Sequence, residues 1–230
     1  MQPQLFPTTR TARYISLGEP GAGTQHVWFC LHGREQNLLE FARQLVNLDT
    51  PERLLILPEG LSRYASPALE TTPEPPATVA SWFAPDSVQT DLQDLTAYLD
   101  GLAAQVLAAC PPDTPVTVLG YGHGAAAACQ WLAHGRTRYD KLLLYASVFP
   151  AEINRQALLA GLPKKPVTVV TTTVDSFTPE VAGEGLLQDL QGAGLTAQLR
   201  YVSEGPLTLG ALGAGSEIGA EPPTSASALN

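Results

Sequence analysis

The stretch Val116-Thr-Val-Leu-Gly-Tyr-Gly-His-Gly-Ala-Ala-Ala-Ala-Cys-Gln-Trp-Leu132 decides the fold. It begins with a β-branched apolar run, continues with three glycines spaced two apart, and ends in an alanine-rich segment. The first part is typical of a buried strand and the last part of a helix. Because glycine permits backbone conformations that other residues avoid, the stretch predicts a sharp turn from the strand into the helix.

Outward from this turn, strand and helix patterns alternate along most of the chain. Apolar or alternating runs predict further strands over residues 11–17, 25–31, 53–57, 141–147, 167–174 and 196–203. Apolar residues at helical spacing predict helices over residues 38–48, 92–109 and 179–194. This alternation predicts an α/β fold, with a mainly parallel twisted sheet and helices on both faces.

The length of 230 residues predicts a single domain, which we place at residues 1–205. Residues 61–87 contain five prolines and little periodicity, so we expect a long loop over the functional site. Residues 206–230 are rich in glycine, alanine, proline and serine and carry little charge. They are predicted to form a degenerate, partly disordered C-terminal tail.

The composition argues against several classes of function. A net charge of −9 repels nucleic acids and anionic membranes, so neither is an expected partner. No apolar run is long enough to span a membrane, and Met1–Pro7 has no signal-peptide pattern, so we expect a cytoplasmic protein. Cys30 and Cys129 lie in apolar runs, which predicts free buried thiols. No CxxC spacing occurs, and neither a metal nor another cofactor is expected.

The three glycines of the opening stretch have the spacing of a nucleophile elbow, G-x-S-x-G. In that motif the central serine is exposed on a tight strand-to-helix turn. Gly120 and Gly124 occupy the outer positions here, and Gly122 occupies the place of the serine. The frame of the motif is therefore present without its nucleophile.

Four landmarks in this order resemble the α/β-hydrolase superfamily, and more narrowly its bacterial phospholipase/carboxylesterase group, which is related to acyl-protein thioesterases. They are His32-Gly33, the segment Leu57-Pro-Glu-Gly-Leu-Ser-Arg63, Ser81-Trp82-Phe83, and Gly120-Tyr-Gly-His-Gly124. The last falls where that group has G-F-S-Q-G. The resemblance covers residues 10–203 and implies the α/β-hydrolase fold.

The resemblance also implies roles for individual residues. Asp175, followed four residues later by a proline, corresponds to the acid of the catalytic triad, although a helix-capping or turn role suits it as well. The backbone N–H groups of Arg34 and His123 correspond to the oxyanion hole. Pro206 stands where the group has the triad histidine.

Serine esterase chemistry needs a nucleophile and a histidine base, and in this superfamily the histidine follows the acid in the chain. The four histidines lie at positions 26, 32, 123 and 134, so none follows Asp175. With Gly122 and Pro206 at the two key positions, the triad is degenerate. We therefore predict a catalytically inactive relative of carboxylesterases that binds a small acyl or ester ligand or a protein.

An alternative hypothesis is that the protein retains esterase activity. His123 could serve as nucleophile or base of an atypical esterase or thioesterase acting on small carboxylic esters, with Ser147 as another candidate nucleophile. The competing interpretation of His123 is a surface or capping residue at a helix N-terminus. His32 is interpreted as a structural turn residue.

Overall fold

The computed structural model of the protein describes residues 4–66, 77–172 and 180–202. Its strands are β1 (Tyr14–Leu17), β2 (His26–Leu31), β3 (Arg53–Pro58), β4 (Ser62–Ala65), β5 (Thr78–Ser81), β6 (Val116–Tyr121), β7 (Lys141–Tyr145), β8 (Val167–Thr172) and β9 (Ala197–Val202). Its α-helices are α1 (Leu38–Gln44), α2 (Val88–Ala108), α3 (His123–His134), α4 (Arg155–Ala160) and α5 (Glu180–Gly192).

Seven of these strands form one sheet in the order β1-β3-β2-β6-β7-β8-β9. Only β1, at one edge, runs antiparallel to its neighbour, and every other pair in this sheet is parallel. Parallel neighbours need crossover connections, and the helices between the strands supply them. The predicted mainly parallel sheet is confirmed.

The sheet separates two apolar cores. Along β2, Val27, Phe29 and Leu31 face a core shared with α2, α3, α4 and α5, while Trp28 and Cys30 face a second core shared with α1. Such burial on both faces explains why the sequence of β2 is continuously apolar rather than alternating. Helices therefore cover both faces of the sheet, as predicted.

The connection over residues 61–87, predicted as a loop, contains two of the strands. β4 pairs with β5 in an antiparallel two-stranded sheet, from Ser62 opposite Ser81 to Ala65 opposite Thr78. Ala80 also exchanges backbone hydrogen bonds with Gln36, at 3.1 and 3.2 Å, which joins the pair to the loop before α1. The paired residues are distant in sequence, so no local pattern indicated the pairing. Residues 67–76 lie outside the described part of the chain.

Two helical features also differ from the prediction. The helix predicted over residues 38–48 ends at Gln44 and is followed by a 3₁₀ turn over Val46–Leu48. Helix α4 was not predicted because six residues are too few to show a helical period. Its start is marked by Asn154, whose side chain accepts a hydrogen bond from the N–H of Ala157 at 3.1 Å. The predicted tail over residues 206–230 lies outside the described residues.

The turn between β6 and α3 depends on close backbone contacts at its two outer glycines. A Cβ atom on Gly120 would lie 2.5 Å from the Cα of Ala125, and one on Gly124 would lie 2.3 Å from the carbonyl oxygen of Leu31. Gly122 differs, because a Cβ there would meet only the Cα of Gly33, at 3.5 Å. The outer glycines are therefore required by space, whereas Gly122 is favoured only by its backbone angles, φ 55° and ψ −122°.

A buried carboxylate connects the residue before β1 to the residue after β3. Glu59 is 2% exposed and accepts two hydrogen bonds from the guanidinium of Arg13, each 2.7 Å long, while Arg63 lies 3.4 Å away. Burial acts to raise the pKa of Glu59, but the hydrogen bonds and charge of Arg13, together with the charge of Arg63, act against it, and the pKa lies below its ordinary value.

We predict that the two outer glycines of the turn tolerate alanine less well than Gly122 does. Gly120→Ala and Gly124→Ala force backbone atoms apart and should each lower the free energy of unfolding by about 1–3 kcal/mol or more. Gly122→Ala has space for the methyl group and should cost only about 1–2 kcal/mol, for the positive φ. Urea unfolding measures all three.

The control for this series is Gly101→Ala, on the exposed side of α2, where a Cβ would meet nothing within 4 Å. It should stabilise the protein by about 0.5–1 kcal/mol. A Gly124→Ala variant that unfolds at the wild-type urea concentration would contradict the close contact with β2.

A second prediction concerns the pH dependence of stability. Because the pKa of Glu59 is lower in the folded than in the unfolded protein, its ion pair contributes fully above about pH 4.3 and is lost as the pH falls through the folded-state pKa. Glu59→Gln should therefore cost about 1–3 kcal/mol at pH 7, and less as the pH drops below 4. Exposed Glu19 supplies the control Glu19→Gln, and an unchanged gap between wild type and Glu59→Gln at pH 3.5 would refute the ion pair.

Candidate active site

The centre of the candidate site is the turn at Gly122, between the end of β6 and the start of α3. Its N–H donates to the carbonyl oxygen of Tyr145 at 3.0 Å, and its carbonyl oxygen accepts from the N–H of Val148 at 3.0 Å. Gly122 has a positive φ outside the left-handed helical region. The backbone therefore makes the sharp, glycine-favouring turn that the nucleophile elbow pattern predicts, and no side chain projects from its centre.

A cavity of about 520 Å³ lies beside this turn. Its walls come from the loop before α1, from the β4–β5 pair and the residues after it, from the first turn of α3, and from the segment after β7. The lining residues are Arg34, Glu35, Ser62, Tyr64, Ser81, Phe83, Ala84, Pro85, Val88, His123, Pro150 and Glu152. This volume lies within the range of sites that hold small molecules.

His123 is the first residue of α3, and its imidazole reaches the cavity. The ring stacks on Phe83, with ring centroids 5.6 Å apart and planes inclined by 19°. Burial lowers the pKa of His123, the positive charge of Arg34 lowers it further, and Glu35 and Glu152 oppose the shift. The imidazole is therefore neutral at pH 7.

The two residues proposed for an oxyanion hole both border the cavity. Arg34 follows His32-Gly33 in the loop after β2, and His123 starts the helix after the elbow. Neither backbone N–H has an acceptor among the described residues, and such a group is free to bind a ligand oxygen. Their role in an oxyanion hole stays a prediction.

His32 has the surroundings of a structural residue. Its ring is fully buried and stacks on Trp82 at 4.7 Å. Nε2 accepts a hydrogen bond from the N–H of Gly60 at 2.9 Å, so Nδ1 carries the proton and donates to the carbonyl oxygen of Gly33 at 2.6 Å. Burial lowers the pKa of His32 to about 4, so the ring stays neutral. Both nitrogens are engaged, which supports the interpretation as a turn residue.

Ser147 follows β7, between the two residues that hydrogen-bond Gly122, and it does not line the cavity. Its Oγ is buried and has no hydrogen-bond partner among the described residues. A nucleophile must reach its substrate, and the burial of this oxygen disfavours such a role. The preceding residue, Ala146, has a φ of 44°, unusual for a residue other than glycine.

Two members of the predicted triad lie outside the described residues. They are Asp175, at the position of the acid, and Pro206, at the position of the histidine. Their assignments stay predictions from the resemblance. Of the three triad positions, only the nucleophile position at Gly122 belongs to the described structure.

Sequence reasoning missed several residues of the cavity, above all Phe83 and Glu152. Phe83 belongs to the Ser81-Trp82-Phe83 motif, but its stacking on His123 has no signal in the sequence. Glu152 lies after β7 and reaches the cavity through a loop whose path depends on the whole fold. A charged residue soon after the end of a parallel strand is the one signal that could have indicated it.

No group of three or more histidine, cysteine, aspartate or glutamate side chains in the described ranges is placed to bind a metal ion. Cys30 and Cys129 are free and buried, as predicted. Among the helices of the described ranges, none combines the length and apolar character that crossing a membrane requires.

No family model and no curated protein matches the chain. Solved structures do match it. The chain is similar to esterase PE8, with 17% identity, a TM-score of 0.65, and coverage of 89% of this chain and 94% of that chain. It is also similar to a phospholipase/carboxylesterase from Dyadobacter fermentans, with 17% identity, a TM-score of 0.60, and coverage of 88% and 92%.

A third similar structure is acyl-protein thioesterase 2 from Zea mays, with 18% identity, a TM-score of 0.58, and coverage of 84% of this chain and 90% of that chain. These proteins carry the names of the groups that the sequence motifs resemble. At such identities the likeness shows the fold. Together with the sheet order and the turn at Gly122, it confirms that the chain has the α/β-hydrolase fold.

Proposed function

We propose that the protein is a non-catalytic member of the α/β-hydrolase fold that binds a small acyl or ester ligand in the cavity beside Gly122. The observation that carries this proposal is the elbow itself. Its backbone has the tight turn of a nucleophile elbow, while the central residue has no side chain that could attack a carbonyl carbon.

The positions of the histidines support the loss of catalysis. None of the four follows Asp175 in the sequence. His26 bonds to Thr117 at 2.9 Å, His32 is buried with both nitrogens engaged, and His134 is exposed at the end of α3. Only His123 lines the cavity, and it lies next to the nucleophile position rather than opposite it.

The cavity supports a binding role. Its walls include apolar and aromatic side chains, such as Phe83 and Val88, and a small number of polar groups, as is typical of small-molecule sites. The free N–H groups of Arg34 and His123 offer donors for a carbonyl oxygen. An ester or acyl compound combines an apolar chain with such an oxygen.

One observation favours a second candidate function, an atypical esterase. His123 is neutral at pH 7 because burial and Arg34 lower its pKa, and a neutral imidazole is nucleophilic. An imidazole nitrogen would attack the ester carbonyl carbon, the alcohol would leave with a proton, and water would hydrolyse the acyl-imidazole to the acid. This route needs no serine.

We predict binding of ethyl butyrate in the cavity, measured by ligand-observed NMR. Ala84 lines the cavity, so Ala84→Trp should fill it and weaken binding about tenfold or more by steric exclusion. The matched control is Ala104→Trp, on the exposed side of α2. Equal affinity in the Ala84→Trp and Ala104→Trp variants would exclude this cavity as the binding site.

A separate prediction concerns turnover of p-nitrophenyl butyrate. Wild type, His123→Ala and the matched control His134→Ala should release p-nitrophenol at the same rate, close to that of buffer, and a fluorophosphonate probe should label no serine. Loss of a triad member removes several orders of magnitude of rate, so the assay separates the two functions clearly.

The esterase hypothesis makes the opposite prediction. His123→Ala should abolish turnover while His134→Ala retains it. Because the neutral imidazole is the reactive form and its pKa is lowered, the rate should fall as the pH decreases, with a midpoint below the pH of about 6.5 expected for an ordinary imidazole. That combination of results would refute the non-catalytic proposal.

A further inference from the structure

The charged side chains that line the cavity leave an excess of negative charge. Arg34 forms an ion pair with Glu35, with Nη2 and Oε1 3.1 Å apart, so these two charges largely offset each other. Glu152 lines the same cavity and forms no ion pair with any described residue. The carboxylate of Glu152 therefore gives the cavity an excess of one negative charge.

The imidazole of the described lining, that of His123, does not offset this charge. The imidazole of His123 is neutral at pH 7, because burial and the charge of Arg34 outweigh the opposing influence of Glu35 and Glu152. A ligand carboxylate or phosphate would face an unpaired Glu152, and the only cation of the described lining, Arg34, already has a partner.

Aromatic rings in the same walls favour a positive ligand further. Phe83 and Tyr64 line the cavity, and the face of an aromatic ring attracts an ammonium group. The whole chain, with a net charge of −9, also attracts cations and repels anions during approach. The charge of the cavity wall, its aromatic lining and the net charge of the chain therefore all favour a positively charged ligand.

We propose that the cavity selects small esters whose alcohol part carries a quaternary ammonium group, a specificity that rests on the ligand-binding function proposed above. The carbonyl oxygen suits the free N–H groups of Arg34 and His123. The ammonium group suits Glu152 and the aromatic rings. An ester of this kind can accept hydrogen bonds from the two N–H groups and also place a positive charge near Glu152. A neutral ester lacks the positive charge, and a carboxylate carries a negative one.

The test compares two ligands of the same shape that differ by one charge. Butyrylcholine carries a quaternary nitrogen, and 3,3-dimethylbutyl butyrate has a carbon atom in its place. Calorimetric titration at low ionic strength should show about three- to tenfold tighter binding of butyrylcholine, the range expected for an ion pair with the exposed Glu152 and an aromatic contribution. The preference should shrink as salt is added.

Two variants test whether the preference for butyrylcholine depends on the charge of Glu152. Glu152→Gln keeps the shape of the side chain and removes its charge, so the ratio of the two affinities should fall towards one. Glu19→Gln removes an exposed carboxylate outside the cavity and should leave the ratio unchanged. Thermal unfolding of both variants checks that they fold as the wild type does.

The outcomes are distinguishable. Equal affinities for the two esters in the wild type would overturn the charge selectivity and leave the ligand-binding function in place. A preference that persists in Glu152→Gln would overturn the assignment to Glu152. If neither ester binds, the proposed binding function fails, and the selectivity fails with it.

Discussion

The close approach of α3 to the end of β2 is the constraint on which the rest of the structure depends. Gly124, in the first turn of α3, lies so near the carbonyl oxygens of Leu31 and His32 that no side chain fits between them. This contact sets the helix directly against the central strands, and the backbone must turn within one residue, at Gly122. The cavity follows from this turn, because His123 starts the helix at the end of the sheet where the loops after β2 and β7 also meet.

The structure separates the geometry of a nucleophile elbow from its chemistry. Space requires Gly120 and Gly124, and these residues fix the turn whether or not a nucleophile occupies its centre. Position 122 has room for a Cβ, so the glycine there is not imposed by packing. A chain can therefore lose the central serine and keep the fold. For this reason the α/β-hydrolase fold by itself does not establish catalysis, and the function has to be argued from the site.

Much of the fold could be predicted because its signals are local. The apolar runs of β2, β3 and β6, and the helical spacing of α2, each lie within one short segment and reflect burial of whole elements. The β4–β5 pair could not be predicted, since residues 66–77 separate its two short strands and no local pattern indicates their pairing. The candidate site likewise has a part that could be predicted and a part that could not. The glycine spacing indicated the elbow, but the stacking of Phe83 on His123 and the approach of Glu152 arise from loops whose paths no local pattern specifies.

Backbone strain distinguishes Gly122 from two other residues of the described structure. A serine at position 122 would have to adopt a φ near 55°, at a cost of about 1–2 kcal/mol, whereas glycine adopts it freely. The neighbouring Glu35 and Ala146 nevertheless keep positive φ values of 51° and 44°. Strain at such residues persists only where the surrounding structure enforces it. Gly122 is thus free of this strain, whereas Glu35, which lines the cavity, and Ala146, which follows β7, retain it.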